Sequence, residues 1–185
     1  MVELWFYTPA VGGSIPSAPT RIHAAQRHTD MTVLLNGVTW RRVQIEVSPD
    51  EGHAGTAPEQ IPSLSLAGVG LPIPDHLVSL SMLHQIAQKV HASTDPPAFV
   101  NDRARDVVDL LLLRTLTETT GHPSSTEIRA TVEDIFAARL AEAEAADAPS
   151  RTWPTRLTVH QHWGPSFATA ADSAGLTITL TDAVA

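Results

Sequence analysis

LHQIAQKVHASTDPPAFVNDRARDVVDLLLLR, Leu83 to Arg114, carries two apolar patterns on either side of a proline break, and its reading decides the fold. Ahead of the break, Met82, Leu83, Ile86, Ala87 and Val90 recur at helical spacing, which predicts an amphipathic helix from near Ser81 to about Ala92. Asp95-Pro96-Pro97 stops that helix, because proline cannot donate the next backbone hydrogen bond. Asn101 has the side chain of an N-cap, so a second helix is expected over Asp102 to Leu116. Its segment Val107 to Leu113 is apolar nearly all round, which predicts a central and buried helix.

The charges within this stretch are the candidate functional residues. Lys89 is the single lysine among 12 basic residues, at the border of the first helix's apolar face. An ammonium is a compact point charge that meets one phosphate or carboxylate oxygen, whereas a guanidinium is a planar fork. Lys89 reads either as a functional residue or as a lysine whose stem covers apolar surface while its head reaches water. In the second helix Asp102, Asp106 and Asp109 fall within about 60° of one another and repel unless something positive faces them. Arg103, Arg105 and Lys89 are the available partners, together with any metal ion. Asp102 is explained by the dipole of the first turn. Asp109, set among leucines, reads equally as half of a buried structural ion pair and as a functional carboxylate.

Working outward, Ser124 followed by Glu127 has capping-box spacing, and a third helix is expected to about Ala145 with Ile128, Val132, Ile135, Phe136 and Leu140 inward. The Ala/Glu run Ala141 to Ala148 is expected to fray. Leu157-Thr158-Val159 reads as a short strand or extended segment, a short helix should begin at Ser166, and the alternation of Leu176 to Leu180 predicts a terminal strand. Toward the N-terminus, Val2 to Thr8 reads as a strand and Val11 to Thr20 as a loop. Asn36-Gly37 takes the positive φ angles of a type I′ turn, so Met31 to Leu35 and Val38 to Val47 form a hairpin. Within it Val43, Ile45 and Val47 share one face, and Arg42, Gln44 and Glu46 the other. Ser48 to Pro74 reads as loop. The expected fold is α+β: a small hairpin sheet in a β-rich region 1–75, and a mainly helical region 76–185.

Composition narrows the function. A net charge of −8 over 185 residues argues against loose binding to nucleic acid, which rests on many phosphate neutralisations. With no cysteine there is no disulfide and no thiolate metal site. No cationic leader and no apolar run near the length of a membrane span are visible, so a cytoplasmic protein without a membrane partner is expected. The nine histidines are poorly spaced for a metal, His160-Gln161-His162 being the close pair. Val11-Gly12-Gly13-Ser14 is followed by Pro16 and continues into no phosphate-loop pattern, and no Gly-X-Ser-X-Gly elbow occurs.

Two motifs in order, Ala87-Gln88-Lys89-Val90-His91-Ala92 and Arg103-Ala104-Arg105-Asp106-Val107-Val108-Asp109-Leu110, resemble the C-terminal half of the AbiEii/AbiGii-type nucleotidyltransferase toxins of bacterial toxin-antitoxin and abortive-infection (phage-defence) systems. The resemblance implies that Lys89 contacts nucleotide phosphates and Asp106 completes the cleft, with Asp109 supporting and Arg103 or Arg105 as counter-charge. It implies nucleotidyl transfer from a nucleoside triphosphate with Mg²⁺, RNA or a protein as acceptor, and Glu46 as a third, metal-side carboxylate. The sequence departs from the family in having no Asp-X-Asp, the pair that holds the metal ions there. The expectation is therefore a truncated or divergent enzyme, or a non-catalytic module that binds a partner: an antitoxin, or a polypeptide supplying the missing pair. If the site is real, Lys89 should lie within about 4 Å of Asp106 or Asp109 and open to a cleft containing Glu46.

Overall fold

The computed structural model describes residues 2–7, 27–47, 54–56, 58–63, 74–95 and 101–185, with side chains from Thr29 onward except those of Leu35, Glu46 and Val47. It forms two compact units, Met1–Glu51 and Gly52–Ala185. The architecture is mixed α+β, with two small antiparallel sheets and five helices among the described residues.

The first unit holds β1 (Val2–Tyr7), β2 (Arg27–Leu35) and β3 (Val38–Val47) in the order β1-β2-β3. The expected hairpin is present. Asn36 at φ 52° and Gly37 at φ 77° supply the two left-handed residues of the turn. The register pairs Met31 with Val43 and Thr29 with Ile45, and it shifts by one residue at Val33/Leu34, leaving Trp40 as the extra residue of a bulge. The loop expected over Val11 to Thr20 lies outside the described residues.

The second unit begins with a 3₁₀ turn, Ala54–Thr56, and a two-stranded sheet of β4 (Glu59–Pro62) and β5 (His76–Ser79). This corrects the reading of Ser48 to Pro74 as loop. Each strand is four residues long and β4 ends in a proline, too little for periodicity to register; pairing across the ladder makes the strand.

Helix α1 (Met82–Ser93) starts where expected, Ser81 Oγ accepting from the His84 N–H at 3.4 Å. Ile86 and Ala87 are buried and Met82, Leu83 and Val90 half-buried, as the apolar face predicts. Helix α2 (Ala104–Thr120) differs from expectation at both ends. Arg103, not Asn101, occupies the N-cap, without a side-chain cap bond, and the helix runs past Leu116 to a left-handed Gly121 whose N–H bonds the Thr117 carbonyl. Nor is α2 buried all round: Val107 and Val108 are, but Leu112 and Leu116 are 41% and 45% exposed. Helix α3 (Ser125–Ala145) has the full capping box of Ser124 and Glu127; of the stretch Ala141 to Ala148 expected to fray, Ala141 to Ala145 stay helical and the remainder lies beyond the helix.

The terminal strand expected over Leu176 to Leu180 is absent, and of the two readings of Leu157 to Val159 the strand is not formed. Leu157 to Val159 is irregular, and Leu176 to Leu180 leads into the short helix α5 (Leu180–Ala183). The alternation was right about burial: Leu176, Ile178 and Leu180 all pack on the core, but among the described residues they join no ladder. Helix α4 (Trp163–Ser173) begins three residues before Ser166, since Pro165 is tolerated in a first turn, where its missing N–H has no intrahelical partner.

The helices stack as α3 on α1, α1 on α2, and α2 on α4. One core lies between α2 and α4, with Val107, Val108, Trp163, Phe167 and Ala171 buried; the other lies between α1 and α3, with Ala87, Val132, Ile135 and Phe136. No described helix is long and apolar enough to cross a membrane.

Candidate functional site

The two motif helices meet at Lys89. From α1 its ammonium donates to Asp109 Oδ2 at 2.6 Å and to Asp106 Oδ1 at 3.0 Å, both on α2. The placement follows from the patterns: Lys89 borders the apolar face that α1 turns toward its neighbours, and Asp106 and Asp109, three residues apart, share one strip of α2. Arg103 closes on the free side of Asp106, at 3.6 Å, across one turn. Arg105, the alternative counter-charge, is exposed and lines a cleft instead. Asp102 lies on that cleft too. The side chain of Glu46 lies outside the described residues.

Side-chain exposures of 25% for Lys89, 14% for Asp106 and 32% for Asp109 make the cluster neither a surface pair nor a sealed one. Burial works against the Lys89 ammonium, but its hydrogen bonds to Asp109 and Asp106, and their charge, outweigh that and raise its pKa above the ordinary lysine value. Lys89 therefore stays protonated at neutral pH. It can hold an anionic oxygen, and it cannot serve as a neutral amine nucleophile or a general base.

Asp109 faces two ways. Besides meeting Lys89 it lines an open cleft of about 760 Å³ between α2 and α4, with Asp102, Arg105, Val108 and Leu112 on one wall and Pro165, Ser166, Thr169 and Ser173 on the other. The α4 wall is acceptor-rich, because Thr169 and Ser173 spend their hydroxyl protons on the Pro165 and Thr169 carbonyls.

The residues described do not fit a Mg²⁺ site. Among them no group of three or more His, Asp or Glu is placed to hold a metal ion, and one oxygen each of Asp106 and Asp109 is spent on Lys89. The His-X-His pair is committed elsewhere: His160 Nε2 lies 3.2 Å from the Asp95 carbonyl and His162 Nε2 2.9 Å from the Asn101 carbonyl, while the His160 ring stacks on Trp163 at 4.9 Å.

A second charged cluster, which sequence reasoning missed, caps the C-terminal end of α1. Arg151 donates to the Asp95 carboxylate and to the His91 carbonyl, and its guanidinium lies 5.8 Å from the Phe136 ring centre. The His91 ring packs edge-on against Phe136 at 4.7 Å, and Phe136 against Trp153 at 5.5 Å. Burial, then the charges of Arg151 and Arg139, push the His91 pKa down to about 4 against the pull of Asp95. Arg151 lies 60 residues from His91, so no local pattern could have revealed the pair.

No protein-family model matches this chain, and no curated protein matches it in sequence.

Proposed function

We propose that this chain is a divergent nucleotidyltransferase of the AbiEii/AbiGii-like kind, in which Lys89 and Asp106 form the phosphate-side half of the site. The observation that carries the reading is the meeting of the two motif helices: Lys89 lies 3.0 Å from Asp106 and 2.6 Å from Asp109, at the edge of an open cleft. An ammonium held there is a fixed positive charge for a phosphate oxygen, which would take one of the two directions now given to carboxylates. Asp106 and Asp109 hold its position, and Arg103 balances Asp106. The transfer chemistry needs a metal-carboxylate pair, and these 185 residues contain no Asp-X-Asp. Mg²⁺ and the nucleoside triphosphate would therefore bind with a complementary polypeptide, and the acceptor would be an RNA or a protein of a bacterial cytoplasm under toxin-antitoxin control.

A second reading, a non-catalytic partner-binding module, has its own support. The Lys89 charge is already matched by two carboxylates, as in a structural clamp between helices. Calorimetry with each of the four nucleoside triphosphates and Mg²⁺ separates the two. Binding by the unaltered chain that disappears in both Lys89→Ala and Asp106→Ala, with helical content unchanged by circular dichroism, supports the enzyme reading. Absence of binding, alone and with a complementary Asp-X-Asp polypeptide, leaves the partner-binding module.

A further inference from the structure

Asn101 stands at the junction of three helices. It is 4% exposed. Its Nδ2 donates to the Ala92 carbonyl in the last turn of α1 at 2.9 Å, and its own carbonyl accepts from Trp163 Nε1 at 2.6 Å and lies 2.9 Å from His162 Nε2, at the start of α4. Trp163 is fully buried in the α2–α4 core, so the bond it makes is anchored from below. Lys89 lies three residues before Ala92, and Asp106 five after Asn101. The Asn101 amide thus ties the end of α1 to the segment that leads into α2, and the Lys89 ammonium ties the two helices themselves, about one turn earlier on α1.

This asparagine also carries a cost: its Oδ1 is buried and has no hydrogen-bond partner among the described residues. An orphaned acceptor makes a buried amide less favourable than an apolar side chain, unless its other bonds contribute something an apolar residue could not. What they contribute is register. Apolar packing of α1 on α2 tolerates small sliding, whereas a directional bond of 2.9 Å does not.

We infer that Asn101, held by Trp163, is a positioning residue that sets α2 against α1 so that Asp106 and Asp109 both reach Lys89. Its consequence for nucleotide binding rests on the enzyme reading above; the geometric statement does not.

The sequence provides the test, because Lys89 is the only lysine. Amine-directed labelling followed by peptide mass mapping reads that side chain apart from the N-terminal amine. In the full chain, Asn101→Ala should raise the Lys89 labelling rate about tenfold, the factor that 1.4 kcal/mol of lost clamp represents. Trp163→Phe, which keeps an aromatic ring in the core but removes the N–H together with part of the indole's volume, should raise it in the same direction by less. Val132→Ala, in the α1–α3 core, is the matched control for general loosening. Labelling unchanged in Trp163→Phe, or raised as much by Val132→Ala at equal loss of stability, overturns the inference. Failure of nucleotide binding in the unaltered chain would remove the enzyme reading and leave the labelling outcome decisive for Asn101.

Discussion

Helix α1 is tied by two charged clusters that use the same chemistry and end in different surroundings. At Lys89 the charges meet beside an open cleft, and Asp109, 32% exposed, belongs both to the ion cluster and to the cleft wall. At Arg151 the partners are Asp95, 14% exposed, and the carbonyl of His91, with Phe136 and Trp153 packed over the neighbouring ring. A charge pair packed against aromatics at the end of a helix has the surroundings of a structural tie. A pair of the same kind with one carboxylate on a cleft is where a ligand could compete for the cation. The contrast separates a candidate site from an ionic staple without any appeal to motif.

The contrast makes measurable differences. The largest should come from Arg151→Ala, which removes the guanidinium shared by Asp95, the end of α1 and the Phe136 face; a loss of about 3–4 kcal/mol in denaturant unfolding is expected for breaking a largely buried pair. A loss below that of the Lys89 variants would mean that the aromatic shell, not the charge, holds this end together.

Next in size is an acid effect at the same cluster. His91 is held near pKa 4 in the folded chain against an ordinary 6.5, so its depressed value favours the neutral ring. Above pH 6.5 both states are neutral and the contribution is fully present. As pH falls from 6.5 toward 4 the unfolded chain takes up a proton that the folded chain refuses, and on the order of 2–3 kcal/mol is lost. His91→Gln should flatten stability across that window. An unchanged slope would place the acid sensitivity elsewhere.

The smallest effect is expected at the open cluster. Lys89→Met keeps the stem and deletes the charge, leaving Asp106 with Arg103 at 3.6 Å, and should cost about 1–2 kcal/mol. The raised Lys89 pKa gives the opposite pH dependence to His91: its contribution is present throughout neutral pH and lost only as pH climbs above 10.5 through the folded value. If Lys89→Met were as damaging as Arg151→Ala, the two clusters would share a structural role and the partner-binding module would gain.

Much of this was legible in the residues because its causes are local. Ser81 and the Ser124/Glu127 box start their helices through bonds spanning three residues, Asn36-Gly37 turns the hairpin through its own φ angles, and the apolar faces of α1 and α3 follow the 3.6-residue period. The Lys89–Asp106–Asp109 meeting was legible too, since both strips lie at predictable positions on neighbouring helices joined by a short break. The rest depended on partners that no window contains. Leu176 to Leu180 alternates like a strand yet packs on the α2–α4 core and joins no ladder among the described residues.

Asn101 carries a side chain suited to capping, but that side chain donates to the Ala92 carbonyl while His162 and Trp163 meet its backbone carbonyl, and Arg103 takes the cap. Arg151 and His91, 60 residues apart, meet only after α3 has returned beside α1. By itself the sequence determined where α1 and α3 begin, how the hairpin turns and which charges share a strip, since backbone dihedrals and hydrogen bonds over three or four residues decide those. The tertiary structure alone decided which charges pack against aromatics, which face a cleft and which polar group registers the helices, because burial and directional bonds between distant segments exist only once the helices have packed.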